Sequence, residues 1–138
     1  MLKLRTAFSA MVLAIPCLAG TVRAEDTNMS MARPESCISL VRIKSSEVLD
    51  RSRMVFTMNN GSMYLNTLPY PCPGLRRDTP YLHRTSLNEI CDLDIITVLN
   101  EGGGGYMPGA SCGLGKFVPT SKEEVAALKE QLKAATRP

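Results

Sequence analysis

The segment Gly109-Ala110-Ser111-Cys112-Gly113 has the G-x-S-x-G spacing that presents a nucleophilic serine on a sharp strand-to-helix turn. That chemistry needs an acid and then a histidine further along the chain, and no histidine follows Ser111. Gly109–Lys116 also approaches the spacing of a phosphate-binding loop. Ala110 stands where the first glycine belongs, however, and Phe117 replaces the hydroxyl that would hold magnesium. His83 is the single histidine. Paired with Asp92 or Asp94 it could serve as the acid–base group of a small hydrolase, but no spacing places a partner beside it, so an ordinary strand residue is the plainer expectation. Asp92 and Asp94, two apart, would share one face of a strand and read as turn acids. Arg76-Arg77-Asp78 and Arg51-Ser52-Arg53 read as loop charges. The chain of 138 residues allows one domain and is too short for an α/β-hydrolase. The expectation is therefore a protein that is not an enzyme, with no catalytic residue, cofactor or metal.

Five cysteines occur, at positions 17, 37, 72, 91 and 112. Cys17 falls in an N-terminal segment with the order of a secretory signal: Lys3 and Arg5 without an acid, the apolar run Ala7–Ala19, then Val22 and Ala24 as the small residues before a cut. The run is too short and too interrupted by Pro16 to span a bilayer. Cleavage after Ala24 removes Lys3, Arg5 and Arg23 and no acid, so the whole formal charge of +3 leaves with the signal. A neutral domain without tryptophan offers neither a positive field nor a stacking platform for nucleic acid. No later apolar run could cross a membrane, so a periplasmic or secreted setting is expected.

Cys37, Cys72, Cys91 and Cys112 remain, an even number in a small exported chain, which points to two disulfides. A structural zinc site would bring two ligands from one tight C-x(2–4)-C turn, and no two cysteines stand that close. Three pairings are possible; the nested one, Cys72–Cys91 inside Cys37–Cys112, is favoured.

These groups must be carried by a mainly β scaffold. Residues 25–36 are polar and aperiodic, a flexible tail. Cys37, Val41 and Ile43 share one parity and suggest a strand over Cys37–Lys44, broken at Ser45-Ser46 before a short return at Glu47–Asp50. Asn60-Gly61 is the preferred pair for a two-residue type I′ hairpin turn. It sets Met58 opposite Met63 and Phe56 opposite Leu65, with Met54, Phe56, Met58, Met63 and Leu65 on one face. Such a methionine stripe is expected to be core. Three prolines make Pro69–Leu75 a stiff loop presenting Cys72. Tyr81–Thr85 and Leu93–Leu99 read as strands, the second central because it is apolar on both faces. Glu101–Gly115 is glycine-rich and is expected to be a long loop pinned by Cys112, with Gly102, Gly103, Gly104, Gly105 and Tyr106 as the possible binding loop. Lys116–Val118 closes the sheet. Ser121 and Glu124 have capping-box spacing, as do Thr120 and Glu123, and Val125, Leu128, Leu132 and Ala135 form the apolar stripe of a terminal helix.

The blocks Asn66-Thr67-Leu68-Pro69, Cys72-Pro73-Gly74-Leu75 and Cys112-Gly113-Leu114-Gly115-Lys116-Phe117, taken with Cys37-Ile38, Phe56, Cys91 and Asp94, resemble a family of small exported bacterial proteins, a domain of unknown function. The resemblance covers residues 37–119. It implies a periplasmic or secreted setting and supplies no activity or catalytic residues. The family pattern often has a glycine before the aspartate that follows the third cysteine; here that position is Leu93.

The expected architecture is a small, disulfide-stapled antiparallel sandwich or partly open barrel over residues 37–119, with one C-terminal helix over 120–138, after a signal at 1–24 and a tail at 25–36. The expected function is a non-enzymatic binding or structural module for an unknown envelope protein or component. The alternative is an inhibitor that inserts the 101–115 loop into an extracellular or periplasmic hydrolase.

Overall fold

The computed structural model describes residues 33–85 and 87–136; the expected signal at 1–24 and residues 25–32 of the expected tail lie outside them. Among the described residues nine strands and one helix occur, and every strand pairing is antiparallel. The strands are β1 (Cys37–Ser39), β2 (Ile43–Val48), β3 (Arg53–Met58), β4 (Met63–Thr67), β5 (Tyr81–His83), β6 (Glu89–Cys91), β7 (Ile95–Gly102), β8 (Gly105–Gly113) and β9 (Phe117–Thr120); helix α1 is Lys122–Thr136. They form a four-stranded sheet β2-β3-β4-β9, a three-stranded sheet β5-β7-β8 and a two-stranded ladder β1-β6. The architecture is mainly β and antiparallel with one terminal helix, and it is not a closed barrel.

Both faces of the four-stranded sheet are covered. On one, Met54, Phe56 and Met58 pack against Ile38 and Ile90 of the ladder and Ile96 and Val98 of β7. Phe56 meets Phe117 edge-to-face with ring centroids 5.4 Å apart. On the other, Val55, Met63 and Leu65 meet Val125, Leu128 and Leu132 of α1. The methionines at 54 and 58 are core, as their alternation implies.

The helix begins as its sequence announces. Ser121 Oγ accepts the Glu124 amide at 3.1 Å, and Glu124 Oε2 accepts the Ser121 amide at 2.8 Å, a reciprocal capping box. Thr120 donates its hydroxyl to the same carboxylate. These bonds, the Ser121 backbone amide first, hold the Glu124 carboxyl below the usual range. Lys129 ties α1 to β2 through Glu47 at 2.7 Å.

Four expectations are corrected. First, the β3–β4 turn is not type I′. Gly61 is left-handed at φ +87°, but Asn60 is not, and the Gly61 amide bonds the Met58 carbonyl while the Met58 amide bonds Ser62. This is a three-residue loop with a glycine bulge. Asn60 Oδ1 takes the Ser62 amide, and the backbone amide of Asn59 reaches the Arg42 carbonyl, so contacts beyond the hairpin select the turn. The pairing is Phe56 with Tyr64 and Val55 with Leu65, one residue off the type I′ register. Met63 and Leu65 therefore face the helix, while Tyr64 and Asn66 join the methionine face.

Second, Cys37–Lys44 is not one strand. A 3-10 turn at Leu40–Arg42 separates β1 from β2, and β2 runs through Ser45-Ser46 with a bulge. Third, the disulfides are Cys37–Cys91 and Cys72–Cys112, interleaved rather than nested. The β1–β6 ladder sets Cys37 directly opposite Cys91, and the proline loop delivers Cys72 to β8. Fourth, Glu101–Gly115 is not a long loop, because its first thirteen residues complete β7 and form the turn and β8. Gly103 at φ +61° and Gly104 at φ +90° form a two-residue turn between paired Gly102 and Gly105. Positive φ at both central positions is the type I′ requirement, which here falls to the glycine pair.

Candidate functional site

The β7–β8 hairpin is where the expected binding residues fall. Gly102–Gly105 make its tip, and Tyr106 and Met107 follow on β8 with 59% and 60% of their surfaces exposed. Cross-strand alternation turns these two side chains to opposite faces. A bulge between Thr97 and Leu99 lets β8 carry one extra residue. Gly109 sits there, and a Cβ on it would come within 2.5 Å of Asn100 Nδ2 and 3.1 Å of the Val98 carbonyl, so a side chain would have to displace Asn100.

At the other end of β8, Cys112 joins Cys72 in the Pro69–Leu75 loop. Between loop and strand lies a cavity of about 400 Å³ lined by Pro69, Tyr70, Pro71, Pro73 and Ser111–Gly113. Its lining carries no charge. Sequence reasoning missed this cavity, although the three prolines and the cysteine that build it were visible. Pairing Cys72 with Cys112 rather than Cys91 is what brings them to β8. A larger cleft of about 580 Å³ is bounded by Gly74, Thr79, Pro80, Leu99 and Asn100 with Arg76, Arg77, Asp78 and Glu101. Two bases face two acids there, so the charge is balanced.

Ser111 lies in strand β8, not on a strand-to-helix elbow, with its hydroxyl 3.1 Å from Thr97 Oγ1. His83 and Asp94 do come together, with Nε2 3.4 Å from Oδ2. The same Oδ2 accepts the Cys91 amide at 2.7 Å, and the Asp94 amide bonds the Cys91 carbonyl. Asp94 thus closes the turn after β6, and His83 braces it from β5. The His83 side chain is only 10% exposed, and it lines neither the proline cavity nor the arginine cleft. Asp92 turns away to Lys116 at 3.7 Å. Cys37, Cys91 and Glu89 cluster closely enough for a metal, but the two sulfurs are bonded to each other and offer no thiolate.

Leu93, inside that turn, has φ +79°, the one left-handed non-glycine among the described residues. That is a backbone conformation glycine adopts without the steric cost a side chain brings. Among the described residues no helix is long and apolar enough to cross a membrane. No family model, curated protein or solved structure matches the chain.

Proposed function

We propose that the chain is a non-enzymatic binding module of the periplasm or the extracellular medium that contacts an envelope protein or component through the β7–β8 hairpin. The observation that carries this reading is the hairpin tip. Two large side chains, Tyr106 and Met107, stand exposed beside a tight glycine turn, on a sheet anchored by a disulfide at Cys112. Tyrosine and methionine are enriched where proteins meet, and recognition residues concentrate on loops held by rigid scaffolds. Two disulfides accord with an oxidising compartment. The test is retention of envelope proteins on the immobilised, oxidised domain. We expect one or more to be retained by the wild-type chain and lost with the Tyr106→Ser, Met107→Ser double variant. Retention of nothing above background across several salt and detergent conditions overturns the reading.

The exposed two-residue turn at Gly103-Gly104 also suits insertion into the cleft of a hydrolase. That second reading expects inhibition of a periplasmic or secreted hydrolase that disappears when Gly102–Gly105 is deleted while the remaining fold persists. Unchanged inhibition after the deletion rules it out.

A further inference from the structure

We propose that the outer edge of β8 at Ser111–Gly113, with the proline wall facing it, binds an extended, uncharged peptide segment by main-chain pairing. The inference rests on reading the chain as a binding module and names the chemistry of one partner.

The direction of the backbone groups on β8 follows from its neighbour. The Leu99 amide bonds the Pro80 carbonyl at 2.9 Å, so residue 99 turns its polar groups toward β5 and away from β8. In an antiparallel pair this alternates by two, so Thr97 and Ile95 do the same. Their partners on β8 are Pro108, Ser111 and Gly113, whose backbone groups consequently point outward. β8 is the last strand of its sheet, and neither Ser111 nor Gly113 bonds its backbone to another described segment. Unpaired donors and acceptors in strand register are a template for one more strand.

Two features delimit the template. Toward the tip, Pro108 has no amide hydrogen to offer, which blocks extension of the pairing. Toward the core end, the 400 Å³ cavity opens between Ser111–Gly113 and the wall of Pro69, Tyr70, Pro71 and Pro73. Three prolines restrict φ at positions 69, 71 and 73, and the Cys72–Cys112 bond tethers the wall to the strand. The site is thus pre-organised, which lowers the ordering cost of binding. Tyr70 is 82% exposed, and its ring faces solvent beside the cavity rather than the core. A segment paired to Ser111 and Gly113 would set one side chain into this space. The uncharged, proline- and tyrosine-lined cavity selects an aliphatic residue or proline there.

The test is a titration of the full oxidised protein, ¹⁵N-labelled, with the acetylated and amidated peptide Ser-Thr-Val-Thr-Ser. The control is the same peptide with its three central amides N-methylated. We expect saturable shifts and slowed hydrogen exchange at the Ser111 and Gly113 amides, absent with the methylated peptide. Tyr70→Ala should weaken binding about fivefold to tenfold. Gly113→Pro removes one outward donor at a position of the kind Pro108 already occupies, and should abolish the shifts. If that variant misfolds, the methylated peptide still decides the question on the wild-type chain. Equal binding of both peptides, shifts confined to Tyr106 and Met107, or no shifts at all overturns the edge site. Envelope retention that depends on Tyr106 and Met107 would then leave the module reading standing alone.

Discussion

The side-chain amide of Asn66 exchanges two hydrogen bonds with the backbone of Gly115, donating from Nδ2 to its carbonyl at 2.6 Å and accepting its amide at Oδ1 at 3.0 Å. Asn66 is fully buried and is the one buried polar side chain of the described core. It acts as an extra rung of sheet, holding the segment before β9 against the end of β4. Gly115 has no room for a side chain, because a Cβ would run into the Thr67 carbonyl. The Asn-x-Leu-Pro, Cys-Pro-Gly-Leu and Cys-Gly-Leu-Gly-x-Phe blocks meet around this point: Leu68, Leu75, Leu114 and Phe117 share the main core, and Cys72 bonds Cys112. These blocks are a packing unit.

Asn66→Leu should therefore destabilise the domain by about 1–3 kcal/mol, since it strips a buried donor and acceptor of their partners. Equilibrium urea unfolding of the oxidised protein measures it. A change within a few tenths of a kcal/mol would show that the pair contributes little.

Peptide mapping without reduction should recover Cys37 with Cys91 and Cys72 with Cys112. Their loops span 54 and 40 residues, and chain entropy gives each closure about 4 kcal/mol taken alone. Replacing Cys72 and Cys112 by alanine should lower the unfolding midpoint and release the proline wall. Recovery of Cys72 with Cys91 would refute the assigned pairing.

Leu93 is 84% exposed and left-handed, so its side chain contributes little packing while its backbone is strained. Leu93→Gly should raise stability by about 1 kcal/mol. Thermal unfolding at fixed pH reads this directly, and a lowered midpoint would show that the side chain supports the turn after all.

Glu124 carries a depressed carboxyl pKa, caused first by the Ser121 amide and then by the Thr120 hydroxyl. A depressed acid stabilises the fold above its unfolded pKa, and that contribution is lost as the pH falls through the depressed folded value. The first turn of α1 should fray on acidification, seen as amide shifts at Ser121 and Glu124. Glu124→Gln keeps the capping bonds without the charge, so its Ser121 amide should not move over the same range. Parallel titration of both proteins would remove the cap as the cause.

Local chemistry was legible where it is self-contained. Ser121 to Glu124 announced the helix start because both partners lie within one turn. The alternation in β3 and the mixed apolar run in β7 placed them as core strands, because side-chain direction follows from strand geometry alone. The mainly β, disulfide-stapled architecture with a terminal helix was readable on the same grounds.

What only the tertiary structure decided is pairing. Asn60-Gly61 suits a two-residue turn, yet the Asn59 amide goes to Arg42 and the register slips by one, which turned Met63 and Leu65 to the helix. The glycines of 101–115 read as a loop because glycine disfavours isolated strands, whereas β7 supplies the ladder that holds them. Which cysteine met which depended on β1 finding β6, a contact between segments far apart in sequence. The proline cavity goes with that choice, since with Cys91 bonded to Cys37 the second disulfide joins Cys72 to Cys112 on β8. The helix cap and the alternation within a strand are set by neighbours along the chain; turn type, register, disulfide partner and cavity are set by neighbours in space.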